Sequence, residues 1–176
     1  MTQIIVVNFG SQVAHLINRR IRELGVFSEL VPYDISVDKI KKINPSGIIL
    51  SGGPSSVYDK KSPLIDKKIF SLGIPVLGIC YGLQLVGKEY GKVLPGKLKE
   101  YGKKSLFVKK NGKLLKGLNK KEQIWMSHGD LVTKLPSGFM VLASTDTCPI
   151  AAFENFGKNL YGVQFHPEVV HTPKGK

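Results

Sequence analysis

The sequence predicts an α/β protein with a central, mostly parallel sheet and a β-rich second half. The largely apolar runs at residues 4–7, 47–51 and 76–79 are typical of strands buried on both faces of a sheet. Helical apolar spacing separates these runs, whereas the later apolar runs are shorter and separated by turn residues. Because alternating strands and helices favour a parallel sheet covered on both faces, we expect the later strands to extend that same sheet.

Four helices are predicted in the first half of the chain. Ser11 is expected to cap the first helix and Gly25 to end it. A strand at residues 27–31 follows, and a short helix around Ile40 closes at Asn44. The third helix is predicted from apolar residues at positions 64, 65 and 69, and the fourth from those at 83, 85 and 86.

The second half is expected to consist of short strands joined by tight turns. They lie at residues 106–108, 124–127, 139–143, 150–153 and 161–165, with a turn at 110–113. We expect one domain over residues 1–176. Because residues 171–176 resemble the start of a helix that does not follow, we also expect this domain to lack its C-terminal helix.

Composition excludes several classes of protein. No apolar run approaches the roughly 18 residues of a membrane span, and two cysteines are too few for a disulfide framework, so we expect a cytoplasmic protein. The net charge of +13 raises the possibility of nucleic-acid binding. Lysines spread over solvated faces explain it better, because aromatic residues do not alternate with them; an acidic docking partner remains an alternative.

The stretch from Pro75 to Leu85 is the main candidate for chemistry. Cys80 lies where the strand at 76–79 passes into a helix, with Gly78 and Gly82 on either side. Such glycines permit the sharp turn of a nucleophile elbow, and the first turn of a helix favours a thiolate. The alternative is an inert buried cysteine, which is the role expected of Cys148.

Two other segments are expected at the same edge of the sheet. His166 and Glu168 follow the last predicted strand, with a rigid proline between them, and could serve as base and orienter for a thiol nucleophile. The segment 51–56, Ser-Gly-Gly-Pro-Ser-Ser, could offer backbone N–H groups as an oxyanion hole, or could be a plain turn. It lacks the Gly-Lys-Ser/Thr end of a P-loop, and residues 8–12 lack the glycines of a dinucleotide site.

Together these segments resemble the class I, triad-type glutamine amidotransferases. The matching motifs are Gly-Ile-Cys-Tyr-Gly-Leu-Gln at 78–84, Phe-His-Pro-Glu at 165–168 and Ser-Gly-Gly-Pro at 51–54. The resemblance implies a flavodoxin-like three-layer sandwich, the class I amidotransferase fold. It also implies a glutaminase that forms a cysteinyl thioester and releases ammonia.

The resemblance assigns roles to individual residues. The catalytic residues would be Cys80, His166 and Glu168. Other positions matching the family pattern are the backbone of Gly53 and Tyr81 for the oxyanion, Gln84, Gly129 and Asp130 for the amino-acid end of glutamine, and His128 and His171 for coupling to a partner. No metal ligand is assigned.

The flanking segments indicate how the ammonia is used. Residues 125–130, 149–153 and 166–172 resemble the branch whose partner is an ATP-pyrophosphatase synthetase subunit or domain. That partner uses ATP and Mg²⁺ to aminate xanthosine monophosphate to guanosine monophosphate, a step of purine biosynthesis, so this chain itself would need no cofactor. The alternatives are glutaminases that serve anthranilate, aminodeoxychorismate or carbamoyl-phosphate synthesis, and, more remotely, a basic nucleic-acid-binding domain.

Overall fold

The computed structural model describes residues 3–176, apart from the side chains of residues 97 and 98. Its strands are β1 (Gln3–Asn8), β2 (Phe27–Pro32), β3 (Gly47–Leu50), β4 (Val76–Ile79), β5 (Lys92–Val108), β6 (Lys121–Lys134), β7 (Met140–Ser144), β8 (Ala152–Asn155) and β9 (Leu160–Val163). Its α-helices are α1 (Val13–Glu23), α2 (Val37–Ile43) and α3 (Tyr81–Tyr90). Single 3₁₀ turns occur at Lys67–Ser71 and Phe156–Lys158.

All nine strands join one sheet in the order β2-β1-β3-β4-β9-β8-β7-β5-β6. The first five of these are mutually parallel, and the pairs from β9 to β6 are antiparallel. Strand β9 is therefore the junction between the two halves. The predicted α/β class, and the expectation that the β-rich half continues the same sheet, are confirmed.

Apolar residues cover both faces of the sheet, as a three-layer sandwich requires. On β1, Ile5 and Val7 pack into one core cluster with Leu83 of α3. Val6, which points to the opposite face, packs into a second cluster with Ile17 of α1. In the described part of the chain, no helix is long and apolar enough to cross a membrane.

Two local expectations were wrong. The helix predicted from residues 64, 65 and 69 is a single 3₁₀ turn, Lys67–Ser71. Asp66 caps that turn through its side chain and Gly73 follows soon after, so there is no room for a longer helix. Ser11 is not the N-cap of α1: Gln12 holds that position, and the Ser11 hydroxyl accepts a hydrogen bond from the Val13 N–H in a local turn instead.

The strands of the second half are longer than predicted. Strand β5 has 17 residues and β6 has 14, and they form an antiparallel pair with a register irregularity between Pro95 and Glu100. That irregularity lies beside the candidate site described below. The long pair therefore forms one wall of the site, in addition to extending the sheet.

Candidate active site

Three neighbouring parallel strands end at the same edge of the sheet and bring the predicted segments together. Strand β3 leads into the glycine loop at 51–54, β4 leads into Cys80, and β9 leads toward His166. A Cβ atom added to Gly52 would lie 3.1 Å from Cε1 of His166 and 3.8 Å from Cβ of Cys80. The cysteine, the histidine and the glycine loop are thus in direct proximity, at the edge where α/β sites form.

Cys80 occupies a strained turn between β4 and α3. Its backbone has φ 52° and ψ −105°, in the left-handed half of conformational space that non-glycine residues seldom adopt. The flanking glycines are required by close packing: a Cβ on Gly82 would lie 2.3 Å from the Leu50 carbonyl oxygen, and one on Gly78 would lie 2.5 Å from the Gly82 backbone. This geometry is that of a nucleophile elbow.

His166 is buried between a carboxylate and a thiol. Its Nδ1 lies 2.7 Å from Oε1 of Glu168, so Nδ1 carries the proton and Nε2 is left for Cys80. Burial works against a charged imidazole, but interactions with the Cys80 sulfur and the Glu168 carboxylate outweigh it and raise the pKa of His166 from 6.5 to about 10. The raised pKa thus reflects the close contact of the imidazole with both neighbouring groups.

A second set of contacts, which the sequence did not suggest, fixes the backbone of His166. Its N–H donates to the Trp125 carbonyl of β6 at 3.0 Å, and its carbonyl accepts from the Thr172 hydroxyl at 2.6 Å. The same hydroxyl accepts the Trp125 N–H at 3.1 Å. Arg20 of α1 also donates to the Glu168 carbonyl at 3.1 Å. The histidine loop is therefore fastened to both α1 and β6.

The backbone groups predicted for the oxyanion hole lie beside the cysteine. A Cβ on Gly53 would be 3.4 Å from Cδ1 of Tyr81, and Gly53 and Cys80 line the same cavities. Tyr81 is the first residue of α3, where N–H groups have no partner within the helix. Within residues 3–176, neither of these N–H groups donates a hydrogen bond to another protein group.

A cavity of about 410 Å³ opens at Cys80 and contains the residues predicted to bind the amino-acid end of glutamine. Gln84 of α3 donates to the Asp130 carbonyl at 2.8 Å and to Oε1 of Gln164 at 3.4 Å. Both amide hydrogens of Gln84 are thereby used, and its oxygen remains as an acceptor. The cavity is lined by Gly53, Pro54, Ser55, Ser56, Cys80, Gln84, Pro95, Gly96, Lys99, Tyr101, Ser127, His128, Gly129 and Asp130.

The Asp130 carboxylate accepts a hydrogen bond from the Ser56 hydroxyl, which connects the wall formed by β6 to the glycine loop. Ser127, also on β6, accepts a hydrogen bond from the Cys80 thiol through its carbonyl at 3.5 Å. Neither serine was singled out from the sequence. Their contacts depend on β6 running alongside α3, which local pattern does not predict.

The two histidines predicted to couple the site to a partner differ in their surroundings. His128 is 5% exposed, lines the cavity and lies 2.9 Å from the carboxylate of Glu100, a residue that sequence reasoning missed. His171 is exposed and stacks on Trp125 with ring centroids 4.5 Å apart. Trp125 borders a second opening beside Cys80 and His166. A coupling role for either histidine stays a prediction.

One group of side chains has the composition of a metal site. Ligand atoms of Glu100, His128 and Cys148 all lie within 4.8 Å of one another, and all three residues are buried. Each already has a hydrogen-bond partner: Glu100 and His128 bond each other, and the Cys148 thiol donates to the Ile150 carbonyl at 3.5 Å. A metal would have to displace these bonds, so we interpret the group as a hydrogen-bonded cluster.

The fold and the site together place a cysteine, beside a bonded histidine–glutamate pair, at the end of a parallel strand. The family model for class-I glutamine amidotransferases matches residues 5–176, and the chain belongs to that family. The resemblance first inferred from the motifs is therefore confirmed.

Similar proteins carry a more specific name. The chain is 54% identical over 176 residues to the glutamine-hydrolysing GMP synthase of Carboxydothermus hydrogenoformans, covering 99% of this chain and 35% of that protein. It is 56% identical over 173 residues to the GMP synthase of a Bacillus cereus strain, covering 98% of this chain and 34% of that protein. The chain thus spans about a third of the length of these relatives.

Solved structures share the whole architecture. A putative GMP synthase subunit from Thermoplasma acidophilum superposes with a TM-score of 0.87 at 34% identity, covering 99% of this chain and 88% of that one. A glutamine amidotransferase from Thermotoga maritima, at 22% identity, has a TM-score of 0.77 over 96% of this chain and 76% of its own, and indicates the fold alone.

Proposed function

We propose that this chain hydrolyses glutamine to glutamate and ammonia through a thioester on Cys80. The observation that carries the proposal is the convergence of Cys80, the His166–Glu168 pair and one cavity at the ends of three adjacent strands. Family membership supplies the reaction class. The residue roles are those implied by the family resemblance, and the geometry described above supports them.

Each group has a definite part in the reaction. His166 takes the proton of the Cys80 thiol, and the thiolate attacks the side-chain amide carbon of glutamine. The N–H groups of Gly53 and Tyr81 stabilise the negative oxygen that forms. His166 then gives its proton to the amide nitrogen, the C–N bond breaks, and ammonia leaves. Water, deprotonated by His166, hydrolyses the γ-glutamyl thioester to glutamate and restores the thiol.

The cavity offers suitable partners for the amino-acid end of glutamine. The free oxygen of Gln84 and the Asp130 carboxylate are acceptors for the α-ammonium group. Lys99 also lines this cavity and provides a positive charge for the α-carboxylate. A site built to bond both polar ends of an amino acid discriminates strongly against ligands lacking either one.

The direct test measures glutamate released from glutamine by the wild-type chain and by Cys80→Ala. We expect the variant to lose about 10³-fold or more of the rate, because the thioester cannot form. Cys148→Ala is the matched control, since it removes the other cysteine, which is buried outside the cavity, and should retain the rate. Equal rates for Cys80→Ala and the wild type would contradict the proposal.

We further propose that the ammonia passes to an ATP-pyrophosphatase synthetase, a separate subunit or another domain, which aminates xanthosine monophosphate to guanosine monophosphate with ATP and Mg²⁺. The name and the extra length of the relatives support this assignment. Both cysteines are free thiols, which fits the reducing cytoplasm, where this pathway would operate. Neither nucleic acid nor a membrane is required.

Partner dependence can be measured by adding a synthetase of this kind. Glutamine hydrolysis by this chain should rise when the synthetase is loaded with xanthosine monophosphate and ATP–Mg²⁺, because uncoupled hydrolysis wastes glutamine. The control omits the nucleotide acceptor. Stimulation by a chorismate- or bicarbonate-using synthetase instead would assign the chain to another branch of the family.

A further inference from the structure

Glu100 and His128 form a buried pair at the wall of the cavity, which His128 lines and Glu100 does not. Their side chains are 2% and 1% exposed, and Nε2 of His128 lies 2.9 Å from Oε2 of Glu100. The second carboxylate oxygen of Glu100 accepts the Thr145 hydroxyl at 2.7 Å. Both oxygens of this buried carboxylate are therefore bonded, so the pair is a completed polar network of the kind that fixes one arrangement of the surrounding chain.

The hydrogen bonds determine how many protons the pair carries. Nδ1 of His128 lies 2.9 Å from the backbone carbonyl oxygen of Asp130, which can only accept, so Nδ1 must carry hydrogen. The hydrogen bond between Nε2 and Glu100 needs a second proton, which either residue can hold. If that proton were missing, the lone pair of Nε2 would face a negatively charged carboxylate, and the two would repel each other. Glu100 therefore keeps His128 in the state that donates to Asp130.

The Asp130 carbonyl also accepts from the Gln84 side chain, at 2.8 Å. The Asp130 carbonyl oxygen therefore accepts from both His128 and Gln84. Glu100 holds the first of these side chains in place, and the second lines the cavity. We propose that Glu100 is a positioning residue for glutamine binding, which acts through His128 and the Asp130 carbonyl to hold the Gln84 amide in its substrate-binding orientation. The inference rests on the proposed glutaminase function and adds a residue that does not itself line the cavity.

Two substitutions of Glu100 distinguish the loss of its hydrogen bonds from a change in side-chain volume. Glu100→Leu keeps much of the volume but removes both acceptors, and so releases His128. Glu100→Gln restores the network: its amide donates to the His128 Nε2 lone pair and its oxygen accepts from Thr145. Glu154 is the matched control, because it is another buried glutamate of the sheet, 5% exposed, and accepts the N–H groups of Lys113 and Leu114 far from the cavity.

The chemical probes are two electrophiles that both alkylate Cys80. A diazoketone analogue of glutamine uses the amino-acid subsite, whereas iodoacetamide does not. For Glu100→Leu we expect inactivation by the diazoketone to slow by about tenfold, the effect of losing one well-placed hydrogen bond. Alkylation by iodoacetamide should stay within about twofold, and Glu100→Gln and Glu154→Leu should resemble the wild type with both reagents.

Steady-state kinetics give a second readout. The KM for glutamine should rise about tenfold in Glu100→Leu while kcat stays within about threefold, because the Cys80 and His166 side chains bond Ser127 and Glu168 and not Glu100. In a double-mutant cycle with Gln84→Met, the two effects on KM should be less than additive, since both act on the same subsite.

The outcomes that overturn the inference are distinct. If Glu100→Leu slows both reagents equally, or neither, or if Glu100→Gln is as impaired as Glu100→Leu, Glu100 does not position the substrate. If the wild-type chain reacts with iodoacetamide at Cys80 but not with the diazoketone, the proposed function itself fails.

Discussion

Nδ1 of His166 lies 2.7 Å from Oε1 of Glu168, although only Pro167 stands between the two residues. Residues 167 and 168 lie in a turn, and this turn brings the imidazole and the carboxylate together. Proline restricts the turn, and hydrogen bonds from Thr172 and Arg20 fasten the carbonyls on either side of it. The imidazole and the carboxylate are therefore held in fixed relation by the backbone.

The contact between His166 and Glu168 predicts that the stability of the fold depends on pH. The pKa of His166 is about 10 in the folded chain against an ordinary 6.5, so the protonated imidazole stabilises the fold. That contribution is complete below pH 6.5 and is lost as the pH rises through about 10. We expect the difference in free energy of unfolding between wild type and His166→Gln, measured in urea, to be largest near pH 6 and to shrink steadily toward pH 10. A constant difference across this range would contradict the interpretation.

The two cysteines should react very differently in the folded protein. Burial, followed by the negative charge of Glu100, raises the pKa of Cys148 to about 12. At pH 8 only roughly one Cys148 in ten thousand would be a thiolate, the reactive form. Iodoacetamide should therefore modify Cys80 and leave Cys148 intact, as peptide mass spectrometry can establish. Both should react in urea, and modification of Cys148 first in the folded chain would refute the assignment.

Packing at the elbow makes a prediction about stability. Gly82→Ala would place its Cβ 2.3 Å from the Leu50 carbonyl oxygen, which is backbone of β3 and cannot move aside alone. We expect a loss of about 3 kcal/mol or more in the free energy of unfolding, as for severe overpacking. The matched control is Gly157→Ala, whose Cβ would meet a single side-chain atom at 3.7 Å. Similar unfolding midpoints for the two variants would exclude this packing argument.

The parallel half of the sheet was predictable because its strands are buried on both faces. Apolar runs such as 4–7 and 76–79 predict buried strands. Because these strands are parallel, the residues that follow them meet at the carboxyl edge of the sheet. That argument brought Cys80, His166 and the glycine loop together without any knowledge of side-chain geometry. Family resemblance then assigned roles that spacing alone left open.

The antiparallel half was harder to predict because its strands depend on one another. Residues 92–105 contain seven lysine and glycine residues that disfavour strands, yet they pair with β6 along most of their length. Glu100 lies within this lysine-rich stretch and has the local sequence of an exposed residue. Its burial results from contacts with His128 and Thr145, which are 28 and 45 residues away along the chain.

The backbone conformation at position 80 determines whether alanine or glycine is the more stabilising residue there. Elsewhere in a folded chain, alanine is normally more stabilising than glycine by roughly 0.5–1 kcal/mol. With φ 52° and ψ −105°, position 80 penalises every side chain that has a Cβ atom, whereas glycine adopts this conformation freely. Cys80→Gly should therefore unfold at a temperature no lower than that of Cys80→Ala. The proposed nucleophile therefore lies at a position where the backbone, on its own, would favour glycine.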